Sequence, residues 1–283
     1  MTTIETPLTT LHQGDARDVL LTLADESVQT VVTSPPYWGL RDYGVNGQIG
    51  LEPTPELYVE NMVSIFRDVR RVLRSDGTLW LNMGDSYAGS GAGGGGNRKG
   101  NEHGQHNAVA KKSRPSALPT HKPKDLVGIP WRLAFALQAD GWYLRCDIIW
   151  SKPNPMPESV TDRPTKAHEY IFLLTKSARY YYDAEAIREP QRNKRSVWEI
   201  PTQPYSEAHF ATFPEALVRP CILAGTSEAG VVLDPFAGSG TTLAVATSLG
   251  RKSIGIELSD EYMEIARKRI TKQTPIFVDA SCY

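Results

Sequence analysis

The sequence predicts an α/β protein built on a mostly parallel sheet. Apolar runs of strand length alternate along the chain with segments of helical periodicity, a pattern typical of strands joined by crossover helices. At the carboxyl end a strand, a Gly-rich turn, a helix, a second strand and a second helix follow one another directly. Two such units cannot complete a sheet, so the remaining strands must come from earlier residues.

The two carboxyl-terminal units have clear boundaries. Residues 231–234 form a short apolar strand, and the helix predicted over 241–249 closes at Gly250, a residue type that favours helix ends. A second strand covers 253–258. Ser259 is a suitable N-cap for the last helix, because its hydroxyl can accept a free backbone N–H.

The earlier part of the chain supplies the other elements. A helix starts at Pro55, since proline suits the first position of a helix, and a second helix ends before Gly141. In chain order the sequence predicts a strand at 28–33, the helix from Pro55, a strand at 77–82, a helix at 129–139, strands at 146–150 and 170–174, and pairing of 180–182 with the last of these.

Two stretches interrupt this alternation within what we expect to be a single domain, residues 1–283. The first, 84–125, holds nine glycines between 84 and 104, and then seven Lys or Arg against one acid between 98 and 124. The second, 178–205, is also basic. A flexible, solvated linker is one interpretation of the first stretch. Contact with a polyanion is the other.

Composition excludes several classes of protein. No apolar run approaches the roughly 20 residues that span a bilayer, and the first ten residues lack the basic and apolar regions of a secretory signal. The three cysteines have no paired spacing, which indicates neither a disulfide framework nor a metal site. We therefore expect a cytoplasmic protein without membrane contact. The net charge of -1 excludes a uniformly basic surface but not a local basic patch.

The first candidate site is the turn between strand and helix at 234–242. Gly238 and Gly240 permit a tight turn that a ligand can approach closely, and Glu257 ends the next strand, where an acid can hold ribose hydroxyls. The third glycine of the dinucleotide fingerprint is missing, because position 243 is Leu. Asp234 suits a cationic or hydrogen-bond-donating ligand better than a diphosphate. A nucleoside site is favoured, and a purely structural turn is the alternative.

The second candidate site is Thr33-Ser34-Pro35-Pro36-Tyr37, at the carboxyl end of a strand, where ligands bind in sheets of this kind. Consecutive prolines fix the backbone and offer carbonyls without competing donors. A hydroxyl, a fixed carbonyl and an aromatic ring so close together can cradle a planar amine, with the ring stacked on a base. By itself a Pro-Pro turn is more often structural.

Together the two motifs resemble the catalytic and cofactor motifs of the DNA amino-methyltransferases, which methylate the exocyclic amine of cytosine or adenine with S-adenosylmethionine. The catalytic motif lies about 200 residues before the cofactor motif, as in the permuted β class of that family. The resemblance runs from about residue 11 to 272. It implies a Rossmann-like methyltransferase fold with circularly permuted motif order and basic loop insertions for DNA, 84–125 as a contact or recognition loop and 178–205 as a target-recognition segment.

The resemblance also implies roles for single residues. Asp15 would lie near the cofactor adenine, Phe213 by its methionine part, Phe236 on the adenosine and Glu257 on the ribose. The segment Ala167-His168-Glu169-Tyr170 resembles the strand motif that borders the base pocket, although His168 is equally well explained as a strand-end residue. The expected catalytic residues are Ser34, Pro35, Pro36 and Tyr37, and the expected cofactor residues are Asp15, Phe213, Asp234, Phe236, Gly238, Ser239, Gly240, Thr241, Thr242 and Glu257. Candidate DNA contacts are Arg98, Lys99, Lys111, Lys112, Arg114, Arg192, Lys194 and Arg195.

The chemistry expected of this site is direct methyl transfer. Ser34 Oγ and the Pro35 carbonyl would accept the amino hydrogens and stabilise positive charge on the nitrogen, without a covalent intermediate. Tyr37 would stack on a flipped base. The sequence indicates no acceptor for the departing proton.

Other activities fit the sequence less well. Methylation of cytosine C5 needs a nucleophilic cysteine, and the Pro-Cys pair at Cys221 precedes the cofactor turn, so we interpret Cys221 as a helix or core thiol. Within the family a serine at position 34 favours cytosine N4, while adenine N6 is the alternative. A catalytically silent DNA-binding protein and a methyltransferase for RNA or a small molecule are more remote. The expected partners are duplex DNA and a separate restriction endonuclease; a monomer and a homodimer are both compatible with the sequence.

Overall fold

The computed structural model describes residues 2–40, 42, 44–45, 47–89, 121–203 and 213–273. Six α-helices occur in these ranges: α1 (Ala16–Thr22), α2 (Pro55–Val72), α3 (Ile129–Ala139), α4 (Glu215–Gly225), α5 (Thr241–Ser248) and α6 (Asp260–Gln273). The strands are β1 (Thr3–Glu5), β2 (Thr9–Gln13), β3 (Val28–Thr33), β4 (Leu73–Met83), β5 (Tyr143–Ser151), β6 (His168–Thr175), β7 (Val197–Glu199), β8 (Val231–Asp234) and β9 (Lys252–Glu257).

The described strands form a single mixed sheet in the order β1-β2-β9-β8-β3-β4-β6-β5-β7. The five central strands from β2 to β4 are mutually parallel. Strand β6 runs antiparallel to both of its neighbours, β4 and β5. Because β6 runs in the opposite direction, its amino end meets the carboxyl ends of β4 and β5.

The register brings the two candidate motifs to the same edge of the sheet. Thr33 pairs with Leu81 of β4, and Asp234 pairs with Gly255 of β9. Strand β3 lies directly beside β8, so the residues that follow each of them are neighbours in space. The amino end of β6 joins this edge, since Met83 pairs with Tyr170.

Helices cover both faces of the sheet, and therefore the central strands are apolar on both sides. In β4, Leu79 and Leu81 face one core cluster with α2 and α3, whereas Trp80 faces a second cluster with α4. Helix α5 is buried on nearly all sides, with Val245 in the second cluster and Leu243 in a third. Parallel sheets covered on both faces read as continuous apolar runs, which explains why these strands could be predicted.

The predicted strands and helices are confirmed, with small shifts at their ends. The pairing expected of residues 180–182 is wrong, because β4 and β5 already occupy both edges of β6. Instead Tyr181 N donates to Asp76 O (2.8 Å), and the Tyr182 ring stacks on Trp80 at 6.3 Å between centroids. Within the described ranges no helix is long and apolar enough to cross a membrane.

Candidate active site

A cavity of about 830 Å³ opens at the carboxyl edge of the central strands. One half is lined by the Gly-rich turn after β8, the end of β9 and the start of α1. The other half is lined by residues 34–37 after β3 and by the ends of β5 and β6. The two candidate motifs therefore share one cavity, which we describe as a turn half and a loop half.

In the loop half, residues 34–37 are held from two sides. The buried Tyr58 of α2 donates its hydroxyl to the Pro36 carbonyl at 2.9 Å. Gly84, just after β4, packs under the Tyr37 ring, and a Cβ at this position would lie 2.6 Å from the ring. Any larger residue at position 84 would displace Tyr37, so the glycine fixes where the ring can lie.

A chain of hydroxyls runs through the loop half to a carboxylate. Ser34 Oγ donates to the Tyr37 hydroxyl (3.2 Å), which donates to Glu169 Oε2 (2.8 Å) at the start of β6. Asn82 Nδ2 donates to the same carboxylate oxygen (3.2 Å), and its Oδ1 lies 3.2 Å from the Tyr37 hydroxyl. The chain connects the predicted catalytic serine to an acid that arrives from a distant part of the sequence.

Lysines stand beside this acid. Lys152, just after β5, forms an ion pair with Glu169 Oε1 and lies 4.2 Å from the centre of the Trp150 ring. Lys166 lies 3.8 Å from the buried Asp85, and burial lowers the pKa of Lys166. Both lysines line the cavity, and they are the cations of its wall among the described residues.

The other predicted residue of this segment, His168, does not line the cavity. Its ring meets Tyr170 edge-on at 5.4 Å, and burial lowers its pKa. This placement agrees with a strand-end residue, and Glu169 is the member of the segment that reaches the site.

In the turn half, Glu257 closes the Gly-rich turn. Its two carboxylate oxygens accept the backbone N–H groups of Gly238 and Ser259, each at 2.8 Å, and burial raises its pKa. Gly240 has a φ of +76°, and a Cβ there would lie 2.9 Å from that of Ala266 in α6. Glycine is thus required at position 240, both because the backbone has a positive φ and because a side chain would collide with Ala266.

The predicted cofactor residues fall into two groups. Those in the wall of the cavity are Asp15, Phe213, Phe236, Gly238, Ser239, Thr241 and Glu257. Asp234, Gly240 and Thr242 lie behind the wall. Asp234 accepts from Thr33 Oγ1 (2.7 Å) and Phe236 N (3.1 Å), and Thr242 Oγ1 donates to the Val32 carbonyl (3.1 Å), so both residues tie the turn to β3.

Burial controls the ionisation of Asp234. The side chain is fully buried, its Oδ2 has no hydrogen-bond partner among the described residues, and burial raises its pKa from 3.8 to about 6. The hydrogen bonds from Thr33 and Phe236 oppose this rise. Because Asp234 is buried behind the cavity wall, it contributes to the site by holding the Gly-rich turn in place.

The predicted DNA contacts lie apart from the cavity or outside the described residues. Residues Arg98, Lys99, Lys111, Lys112 and Arg114 belong to the second case. Arg192 is exposed and paired with Glu189, Lys194 lies 5.0 Å from the centre of the Trp198 ring, and Arg195 is exposed. Within segment 178–205, β7 forms the edge of the sheet beside β5. The described end of the segment, Thr202 and Gln203, reaches the cavity wall.

The turn half fits a nucleoside with hydrogen-bond donors. Its wall carries the carboxylates of Asp15 and Glu257, and no Lys or Arg lines this half within the described ranges. The Asp15 charge is offset by its ion pair with Arg17 (2.5 Å). Glu257 would repel a polyphosphate, whereas it would attract ribose hydroxyls. Phe213 and Phe236 add apolar surface for a flat base. These residues fit S-adenosylmethionine, and the fold is that of the methyltransferases that use it.

Comparison with known proteins gives the family. Residues 28–268 match the model of the N6/N4 DNA methylases, described as DNA methylase. The chain is 54% identical to the type II methyltransferase M.SmaI of Serratia marcescens (92% of this chain, 90% of that protein) and 54% identical to M.Cfr9I of Citrobacter freundii (92% and 87%). The chain therefore belongs to the N6/N4 DNA methylase family and is an S-adenosylmethionine-dependent DNA methyltransferase.

Solved structures agree with this fold. A DNA modification methylase of Thermus thermophilus, solved in complex with S-adenosyl-L-methionine, superposes with a TM-score of 0.65 at 27% identity and covers 94% of this chain and 96% of that one. The PvuII DNA methyltransferase, described as cytosine-N4-specific, superposes with a TM-score of 0.71 at 21% identity, with 95% and 92% covered. The second comparison concerns the fold alone.

The interpretation of Cys221 is confirmed. Its thiol is buried in α4, donates to the Leu217 carbonyl (3.3 Å), and has a pKa that burial raises. A thiol held in this way is not a nucleophile. Among the described residues no group of three or more His, Cys, Asp or Glu could hold a metal ion.

Several site residues were not found from the sequence. Asn82, Lys152 and Lys166 line the cavity, and Arg269 of α6 donates to Ser239 Oγ (3.2 Å) and Thr241 Oγ1 (2.7 Å) at the turn. Asn82 ends a predicted strand, where functional residues concentrate, and this position was a usable signal. The other three residues lie in no motif, and the fold alone brings them to the site.

Proposed function

We propose that this enzyme transfers the methyl group of S-adenosylmethionine to the exocyclic N4 amine of a cytosine that is flipped out of duplex DNA. The observation that carries the proposal is the Ser34 hydroxyl, which lies in the same cavity as the nucleoside-like turn half and is linked through Tyr37 to Glu169. Within the family a serine at this place favours cytosine over adenine.

The amine of cytosine is a weak nucleophile because its lone pair is delocalised into the ring. Ser34 Oγ and the Pro35 carbonyl accept its two hydrogens, which localises the lone pair and stabilises the charge that grows on nitrogen. The cofactor supplies a methyl group on a positively charged sulfur, open to in-line attack. Tyr58 and the two prolines hold the carbonyls rigid, so little reorganisation is required.

The hydroxyl chain gives the departing proton a route. When the N–C bond has formed, one N–H bond must break. Ser34 Oγ takes this proton and passes its own to Tyr37, which passes its own to the Glu169 carboxylate. Glu169 ends neutral, and it recovers its charge and its ion pair with Lys152 when it releases the proton to solvent.

The turn half holds the cofactor in this proposal. Glu257 accepts the ribose hydroxyls with the lone pairs that its two backbone bonds leave free. Phe236 packs on the adenosine, Asp15 lies by the adenine and Phe213 lies by the methionine end.

The basic residues at 98–114 and 192–195 hold the duplex. Because the relatives are type II methyltransferases, a separate restriction endonuclease is the proposed partner, and a cytoplasmic location follows from the DNA substrate.

The test is nucleoside mass spectrometry of unmethylated genomic DNA after incubation with the enzyme and S-adenosylmethionine. We expect N4-methylcytosine, and at least a hundredfold less with Ser34→Ala. Ser64→Ala, on the exposed face of α2, is the matched control and should leave the yield unchanged. Detection of N6-methyladenine instead of N4-methylcytosine would show that the target base is adenine. No modified base, or an undiminished yield with Ser34→Ala, would overturn the proposal.

A further inference from the structure

The loop between β5 and β6 carries an exposed apolar side chain at the mouth of the cavity. Met156 is 80% exposed, the highest value among the large hydrophobic residues that the structure describes. It lines the loop half together with its neighbours Asn154 and Pro155. Single exposed hydrophobics are ordinary on a surface, but few stand where a substrate must enter.

This loop is stiff. Prolines alternate with other residues at 153, 155 and 157, and each fixes its own φ and restricts the residue before it. Asn154 is tied to Thr202 by bonds in both directions, Nδ2 to the Thr202 carbonyl (3.2 Å) and Thr202 N to Oδ1 (2.8 Å). Lys152, at the start of the loop, is paired with Glu169 in the site. The loop therefore cannot fold Met156 away at little cost.

Both ends of the loop are fixed to the cavity in which the base would be methylated. Glu158 accepts from Arg163 Nη1 (2.7 Å) and from Lys166 N (3.2 Å), and Lys166 itself lines the cavity. A rigid, apolar tip is thus presented at the loop half of the cavity, where the proposed function places the flipped base. The group that contacts this tip must therefore offer apolar faces, and it must lie close to the position in the duplex that the flipped base has left.

We propose that Met156 is the wedge that enters the base stack of duplex DNA and fills the gap left by the flipped nucleotide. Methionine suits this position because an unbranched, polarisable thioether packs against the faces of bases at varied angles. The inference rests on base extraction in the proposed function. Extraction costs a few kcal/mol, and the wedge offsets part of this cost by keeping the open duplex stacked.

The experiment compares two duplexes that contain the methylated site, which is first located by sequencing DNA treated with the natural enzyme. One duplex is fully paired, and the other has an abasic position opposite the target, so that the target base is already free to leave. Met156→Ala removes the wedge and Met156→Leu keeps its bulk. Leu21→Ala, at an exposed apolar residue of α1 that does not line the cavity, is the matched control.

We expect Met156→Ala to lower kcat/KM on the paired duplex about tenfold, which corresponds to ~1.4 kcal/mol, and less than threefold on the abasic duplex. Met156→Leu and Leu21→Ala should stay within twofold on both. An unchanged rate, or an equal loss on both duplexes, would overturn the proposal that Met156 is a wedge. If the equal loss came with weaker S-adenosylmethionine binding, Met156 would instead cover the cofactor. Because the natural enzyme is measured on the same duplexes, failure of the proposed function is seen separately.

Discussion

Tyr37 contributes a ring and a hydroxyl to different parts of the proposed reaction. The ring, seated over Gly84, is the surface on which a base would stack. The hydroxyl is the middle of the chain from Ser34 to Glu169. Substitutions that remove one part and keep the other can separate the two contributions.

We expect Tyr37→Phe to lower kcat about tenfold with little change in KM for DNA, because the ring remains and only proton transfer is impaired. Tyr37→Ala should cost more and also raise KM, since a stacking contact is worth roughly 1–3 kcal/mol. Steady-state kinetics with both variants measures the difference. Equal effects of Phe and Ala would mean that the hydroxyl accounts for the whole contribution of the residue, and a harmless Phe would remove the proton route.

Asp234 makes stability depend on pH. Its pKa is raised by burial from 3.8 to about 6, so between these values the folded chain keeps a proton that the unfolded chain has lost. The free energy of unfolding therefore falls as pH rises through this window, and the cost is constant above it. A shift of this size corresponds to at most about 3 kcal/mol.

Asp234→Asn cannot titrate, and so it should gain stability relative to the natural chain as pH rises from about 4 to about 6. Urea denaturation at a series of pH values measures this difference in unfolding free energy. Glu228→Gln, which removes an exposed carboxylate, is the control for the loss of one charge. A difference between Asp234→Asn and the natural chain that does not vary with pH would contradict the buried, protonated state.

The residues of the two motifs could be predicted because their chemistry is written in adjacent positions, as with Ser34 and Tyr37. Lys152 and Lys166 could not be, since each lies in a loop without a motif and is brought to the cavity by the antiparallel strand β6. Glu169 was part of a predicted segment, yet its partner Tyr37 is 132 residues away in the chain. Pairings over such separations depend on topology.

The helices α4, α5 and α6 meet at the buried guanidinium of Arg269. It donates to Thr241 Oγ1 (2.7 Å) and Ser239 Oγ (3.2 Å) at the start of α5, and to Glu215 Oε1 (2.8 Å) at the start of α4. A hydroxyl that accepts from a guanidinium is free to donate its own hydrogen. Arg269 thus orients the Ser239 and Thr241 hydroxyls of the cavity wall and fixes α4, which Phe213 precedes.

We expect Arg269→Met to weaken S-adenosylmethionine binding about tenfold, or ~1.4 kcal/mol, because Arg269 fixes the start of α4 and with it Phe213, which the proposed function places by the methionine end of the cofactor. Calorimetry with 5′-methylthioadenosine, which lacks that end, should give a much smaller loss. Arg267→Met, an exposed residue of the same helix paired with Glu264, is the control and should change neither affinity. An equal loss for both ligands would mean that Arg269 supports the turn as a whole.

The elements that could be predicted are those whose burial leaves a mark on the sequence. Strands β3, β4 and β8 are apolar on both faces, and α2 has a proline and a threonine cap at its start. Strand β7 has only three residues, and α4 contains Pro220, which argues against a helix. Tertiary packing overrides the local signal in these elements.

The whole molecule is nearly neutral, with a net charge of -1, although its substrate is a polyanion. Binding must therefore depend on where the cations are concentrated. Seven of the 31 Lys and Arg fall between residues 98 and 124, against a single acid. The structure places the cavity at the carboxyl edge of the sheet, and Gly84 and Asp85, at the start of the 84–125 segment, lie beside the Tyr37 ring and Lys166. The segment that carries these basic residues therefore begins beside the cavity in which the proposed function places the flipped base.

Neutralising Lys111, Lys112 and Arg114 together by substitution with Gln should weaken DNA binding and leave S-adenosylmethionine binding unchanged. Each lost phosphate contact lowers the slope of log K against log salt by roughly 0.9, so three contacts predict a decrease of about 2.7. Fluorescence anisotropy with labelled duplex DNA from about 50 to 200 mM salt measures the slope. Lys252→Gln and Lys268→Gln, at exposed positions of β9 and α6, control for the loss of positive charge. If the slope stays the same, Lys111, Lys112 and Arg114 do not contact the DNA phosphates, and other cations of the protein must hold the duplex.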